Sequence, residues 1–251
     1  MKLNLITHLY NEEYLLPWWL EHHKNLFDNI FVIDYKSTDK SLEIVKDIIP
    51  RAKIIQSRND CFDAHLCDQE VMELESSLNG IKICLNVTEF LISDRSSIIK
   101  KFKDRQVNLC YSIPRIAMID NNPEIDVEYG DSLPRQKNFG LDLRESALGG
   151  TDWGTPPYRY IHNYETGEYT CGRHSTRLNV IGENFLIYLY KYSPWQKKFI
   201  ERKLQIKNKI SESDRLVGAG FQHFYSEEKM IEEMKFFLPY CKKYYQHLEM
   251  G

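Results

Sequence analysis

Two hydrophobic periods alternate along the first 90 residues. "LNLITHLY" is a short apolar run with β-branched members, which predicts a strand. It breaks at Asn11. In "EEYLLPWWLEHHKNL" the apolar residues Leu15, Leu16, Trp19 and Leu20 fall on one helical face. Pro17 sits in the first turn of that helix, where a missing N–H costs little. "NIFVID" predicts a second buried strand that closes on Asp34. "STDKSLEIVKDIIP" predicts a helix with Ser37 or Thr38 as N-cap and Pro50 beyond its end. "AKIIQS", "DAHLCDQEVMELESSL" and "IKICLNV" then read as strand, helix and strand.

This β-α-β-α-β-α-β order predicts an α/β fold, a mostly parallel sheet with helices on both faces. In open sheets of this kind a ligand sits at the carboxyl ends of the strands. Those ends carry His8 to Glu12, Asp34 to Asp39, Ser57 to Asp60 and Asn86 to Glu89. Polar residues concentrate there, as a binding crevice requires.

Beyond about residue 104 the pattern loosens. "QVNLCYSIPRIAM" and "NFLIYLYKYS" predict strands, and "YRYIHNYETGEYTCGRH" predicts a hairpin turning at Glu165-Thr166-Gly167. Residues 119–157 are rich in Asn, Pro, Gly and Asp, and a stretch of that length without regular structure is usually functional. "PWQKKFIERKLQIKNKI" and "SEEKMIEEMKFFLPYCKKYYQHL" predict helices. The aromatic last helix could dock on the core or on a second subunit, which leaves a homodimer open.

At 251 residues the chain is expected to form one domain, with halves at 1–104 and 105–251. A formal net charge of −3 gives no electrostatic argument for nucleic acid. The 16 tyrosines suit either an aromatic core or a sugar-lined cleft. The six cysteines form no C-x-x-C pair and read as free thiols in a reducing compartment. "MKLNLITHLYNEE" has no signal-peptide core, and no run approaches 18 apolar residues, so a cytoplasmic protein without a transmembrane segment is expected.

The segments "HLYNEEYLLPWWLEHH", "VIDYKSTDKS" and "LNVTEFL", in this order and spacing, resemble a family-2-type glycosyltransferase with the GT-A fold. The resemblance implies transfer of a sugar from a UDP-sugar donor to a glycan, lipid-linked or protein-linked acceptor. It makes 1–104 the nucleotide-sugar half and 105–251 the acceptor half. It places the base and ribose against Thr7, Leu9, Asn11, Glu12 and Asp34, where a fixed carboxylate accepts from uracil or ribose, with His8 as a further substrate-binding candidate. Ser37 and Asp39 fit a helix cap as well as a donor contact.

The resemblance also implies an Asp-x-Asp pair for Mg²⁺ or Mn²⁺ where this chain has Asn86-Val87-Thr88. Neither Asn86 nor Thr88 carries charge, and Glu89 alone is a poor divalent site. A metal-free reaction is therefore expected. The diphosphate would then rest on Arg58, Arg173, His174, Arg202, Lys203, Lys207 and His223. Lys203 and Lys207 stand at i and i+4, the spacing of one helix face. A metal held by Glu89 with His8, His174 or His223 is the alternative.

An inverting transfer needs a carboxylate to take the acceptor proton. "ALGGTDWGTPPYRYIH" offers Asp152 as that base and Trp153 as a stacking surface for a sugar ring. Asp131, Asp142 and Glu145 are fallbacks, as is a metal-free Glu89. A non-catalytic binder of nucleotide or sugar is the competing class. "ITHLYNEEY" has no glycine, which disfavours a nucleotidyltransferase phosphate loop and a dinucleotide fingerprint alike.

Overall fold

The computed structural model describes residues 1–103, 107–145, 158–170, 172–182, 185–218 and 220–244. The first half runs β1 (Leu3–Leu9), α1 (Leu16–His23), β2 (Asn29–Asp34), α2 (Ser41–Ile48), β3 (Lys53–Gln56), α3 (Ala64–Ser76), β4 (Ile81–Cys84), β5 (Glu89–Ile92) and α4 (Arg95–Lys103). The second half opens with β6 (Cys110–Ile119), α5 (Leu133–Gln136), β7 (Phe139–Asp142) and β8 (Tyr158–His162). It continues with β9 (Tyr169–Thr170), β10 (Ser175–Thr176), β11 (Val180–Gly182), β12 (Leu186–Tyr192) and α6 (Lys197–Gln205). It closes with α7 (Glu212–Leu216), α8 (Glu227–Phe237) and β13 (Lys242–Lys243).

The strands β3-β2-β1-β4 lie side by side and parallel, with His8 opposite Ile33 and Leu9 opposite Asp34. Strand side chains alternate between faces. Leu3, Leu5, Ile30 and Val32 therefore meet Leu16 and Leu20 of α1 and Val45 of α2. Ile6, Phe31, Ile33 and Cys84 meet Cys67 and Val71 of α3 on the other face. Both faces are covered, as the run of apolar strands predicts.

Past β4 the sheet becomes mixed. β8 inserts antiparallel between β4 and β6, and β6 pairs in turn with β7, β11 and β12. α8 covers this part with Met230, Met234 and Phe237, packed on Ala117, Ile119, Leu141 and Tyr192. One sheet thus runs through both halves of the chain.

Three local expectations are corrected. Ser37 and Thr38 do not cap α2, which begins at Ser41, whose N–H donates to Asp39 Oδ1 at 2.9 Å. Ser37 instead joins two loops, accepting from the Asn11 N–H at 3.0 Å and donating its own N–H to Asp34 Oδ1 at 3.1 Å. The hairpin forms one step late, between β9 and β10, because β8 is taken up by β4 and β6. The fully buried Glu75 holds the intervening turn over α3, accepting from the Gly167 N–H at 2.7 Å and the Tyr169 hydroxyl at 2.8 Å. The last helix ends at Phe237 rather than continuing, since Pro239 follows in a short turn and cannot donate. Among the described residues Cys61, Cys67, Cys84, Cys110 and Cys241 are free thiols.

Candidate functional site

A cavity of about 620 Å³ opens at the carboxyl ends of β1 and β4. His8 and Leu9 of β1 and the Asn86–Thr88 segment after β4 form its floor. β12 contributes Leu189 to Tyr192, and the turn between β9 and β10 contributes Gly172, Arg173 and His174. α6 and the 221–223 segment face them with Arg202, Lys203 and His223.

Behind the floor lies Glu89, fully buried. Its carboxylate accepts from Arg115 Nη1 at 2.8 Å, from Arg159 Nε at 2.9 and 3.0 Å, and from the Asn86 N–H at 2.8 Å. Burial alone would raise its pKa, but the guanidinium groups of Arg159 and Arg115 outweigh that and hold it at about 2. Arg159 then reaches forward. Its Nη1 donates to the carbonyls of Gly172 at 2.9 Å and Arg173 at 3.1 Å, and to His174 Nδ1 at 3.0 Å. This fixes the turn in which Arg173 takes a left-handed backbone, φ 59°.

Arg173 donates to Asp68 Oδ1 on α3 at 2.9 Å, and Asp68 Oδ2 also accepts from the Gly172 N–H at 2.7 Å. The other guanidinium nitrogen lies 3.4 Å from His8 Nε2 and 3.5 Å from Asn86 Oδ1. Arg173 Nε and His8 Nδ1 are buried with no hydrogen-bond partner among the described residues. Across the cavity Arg202 pairs with Glu12, and Lys191 Nζ lies 3.1 Å from Glu233. Lys203 makes no hydrogen bond or ion pair with a described residue. Its ammonium sits 5.0 Å from the Tyr192 ring and 5.7 Å from the Phe199 ring.

His174 and His223 do not carry the positive charge expected of them, and His8 is uncharged as well. Burial first, and then Arg173 and Arg159, hold His8 well below its usual range. Burial with Arg159, Arg115 and Arg173 does the same to His174, and burial with Lys203 and Arg202 lowers His223 to about 4. All three are neutral near pH 7, and the cavity's positive charge comes from arginine and lysine.

Of the residues singled out from sequence, His8, Leu9, Glu12, Asn86, Thr88, Arg173, His174, Arg202, Lys203 and His223 line the cavity. Glu89 does not; it stands behind the wall as the counter-ion of two arginines. Thr7 is buried in β1. Asn11, Asp34 and Ser37 form the loop-joining network described above, away from the cavity wall. Arg58 is exposed and engaged with Glu73 at 2.7 and 2.8 Å. Lys207 falls outside α6, in an exposed 3₁₀ turn over Ile206–Lys209, so the i,i+4 face with Lys203 is not formed. Asp142 is held by Arg144 and Glu145 by Lys242. Asp152 and Trp153 lie outside the described residues.

A divalent cation does not fit the Asn86–Thr88 segment. Asn86 and Thr88 are uncharged, both oxygens of Glu89 are committed, and a guanidinium stands 3.5 Å from Asn86 Oδ1. Among the described residues no three His, Cys, Asp or Glu side chains gather as a metal-holding group.

No protein-family model matches the chain, nor does any curated protein. Among solved structures it is similar to S. aureus TarS 1–349, with 17% identity and a TM-score of 0.44 over 83% of this chain and 65% of that one. It is similar to the UDP-GlcNAc complex of TarS 1–349, with 16% identity and a TM-score of 0.41 over 95% of this chain and 72% of that one. It is also similar to glucosyl-3-phosphoglycerate synthase from Mycobacterium tuberculosis, solved with Mn²⁺, UDP and phosphoglyceric acid. That likeness has 11% identity and a TM-score of 0.37 over 64% of this chain and 55% of that one. At TM-scores below 0.5 these likenesses assign neither substrate nor residue role to this chain. No helix among the described residues is long and apolar enough to cross a membrane.

Arg115, Arg159 and Lys191, which sequence reasoning missed, sit inside predicted strands. The signal was present. A lone cation in "SIPRIAM", "YRYIH" or "IYLYKY" is buried by its neighbours and needs a counter-ion.

Proposed function

We propose that this chain is a glycosyltransferase that takes a sugar from a UDP-sugar by a metal-independent, inverting displacement. The observation that carries this reading is the cationic cavity at the strand ends, with uncharged Asn86 and Thr88 where the resemblance implies metal-binding acids. Arg173 and Lys203 both line it and suit a diphosphate. Such groups stabilise the charge that develops on the leaving diphosphate as the anomeric C–O bond breaks. The acceptor hydroxyl of a glycan or glycoconjugate attacks from the far side, and its proton goes to a carboxylate, Asp152 in this reading.

Calorimetric titration with UDP in EDTA, then with Mn²⁺, tests the donor site. Tight binding in EDTA that Mn²⁺ leaves unchanged is the expected result. Binding that requires Mn²⁺ would overturn metal independence. Binding of UDP-sugar with neither hydrolysis nor transfer would favour a non-catalytic binder, a class that the neutral Asn86 and Thr88 keep in play. Asp152→Asn is expected to slow transfer roughly 100-fold or more while donor affinity stays within about twofold. Wild-type turnover in that variant would remove Asp152 as the base.

A further inference from the structure

We infer that Lys203 is the cation that recruits the donor's diphosphate, and that donor binding seats a proton on it. This rests on the donor reading above. The cavity's other cations have carboxylate partners: Arg173 with Asp68, Arg202 with Glu12, Lys191 with Glu233, and Arg115 and Arg159 with Glu89. Lys203 alone among them has none within the described residues, although it lies on the cavity wall. The charged and titratable groups around it come from five elements. Arg202 stands beside it on α6, Lys191 on β12, Glu233 on α8, Glu12 in the turn after β1, and His223 in the 221–224 segment. Glu12 and Glu233 are the only acids in that set, and both are already engaged.

A half-buried ammonium beside other cations is costly to keep charged. Burial, then Arg202 and Lys191, lower the Lys203 pKa to about 7. A bound diphosphate supplies the missing counter-charge and favours the protonated form. At pH 8 the free site is mostly neutral, so binding takes up a proton. Affinity then falls as pH rises above about 7, the direction that follows when the bound state holds the extra proton. His8, His174 and His223 are neutral in that range and add no uptake of their own.

UDP titrations in EDTA at pH 8, in buffers of different ionisation enthalpy, test the inference. UDP's terminal phosphate, with a pKa of about 6, is already ionised there. Wild type is expected to take up close to one proton (~1) per UDP bound. Lys203→Met should bind roughly 10–100-fold more weakly with no buffer dependence. Lys203→Arg should keep affinity within about tenfold and also lose proton uptake, because a guanidinium stays charged. Its folded state, and that of Lys203→Met, is checked by thermal unfolding, where a midpoint no lower than wild type is expected. Wild-type binding without proton uptake, or equal affinity in Lys203→Met, overturns the inference and leaves the donor reading standing. Failure of wild type to bind UDP at all overturns both.

Discussion

The two walls of the cavity are built differently. The sheet-side wall is made of long-range ion pairs between regular elements. Glu89 of β5 holds Arg115 of β6 and Arg159 of β8, and Asp68 of α3 holds Arg173. Each of these side chains is nearly or fully buried. The helix-side wall stands on short pieces. The turn at Ile206–Lys209, α7 and the Phe221–Phe224 segment contain no buried residue, and Leu216 and Val217 are 81% and 79% exposed. The first wall fixes geometry, and the second carries the charge without a partner. Segments with few buried side chains open locally at lower free energy than paired, buried elements.

The largest effect should come from breaking the rigid wall. Glu89→Gln leaves buried guanidinium groups without their shared carboxylate and should cost on the order of 3–5 kcal/mol in chemical denaturation. A loss below about 1 kcal/mol would deny Glu89 that role. The same carboxyl sets an acid limit. Its folded pKa of about 2 lies below its ordinary 4.5, so its stabilisation is complete above that ordinary value and is lost as pH falls toward 2. Glu89→Gln should flatten stability against pH across this window.

Next in size is the difference in opening between the walls. Backbone amides of residues 206–218 and 220–224 should exchange roughly 100-fold faster than those of β4 and β6, and added UDP should slow the former selectively. Equal protection in both regions would erase the contrast. Smallest of all is the effect of Arg58. Its ion pair with Glu73 is exposed, so Arg58→Ala should leave stability nearly unchanged. Donor affinity should not move, and a measurable loss would bring Arg58 back to the site.

How far the sequence carries depends on which interactions decide each part. The parallel half was legible because strand and helix periods are local properties, and the burial of β1, β2 and β4 on both faces follows from their continuous apolar runs. The hairpin failed because the partner of β8 is chosen by strands far away in the chain, which no turn signal can report. In the site, Asn86, Thr88, Arg173 and His174 were reachable from motif position. Glu89 was found but misplaced, since its direction is fixed by Arg115 and Arg159, 26 and 70 residues on. Lys203 stood among seven basic candidates, and only the pairing of its neighbours singles it out.

The commitment of Glu89 limits what substitutions at 86 and 88 could build. Suppose that Asn86 and Thr88 were both changed to aspartate. The new carboxylate at 86 would lie beside the Arg173 guanidinium, now 3.5 Å from the Asn86 amide oxygen, and would form an ion pair with it. Glu89 could join a metal only by abandoning two buried arginines. The two substitutions would thus add an ion pair at Arg173 without freeing Glu89 from its arginines. The neutral motif matches its surroundings: an acidic one would meet Arg173 at position 86 and a Glu89 already committed to Arg115 and Arg159.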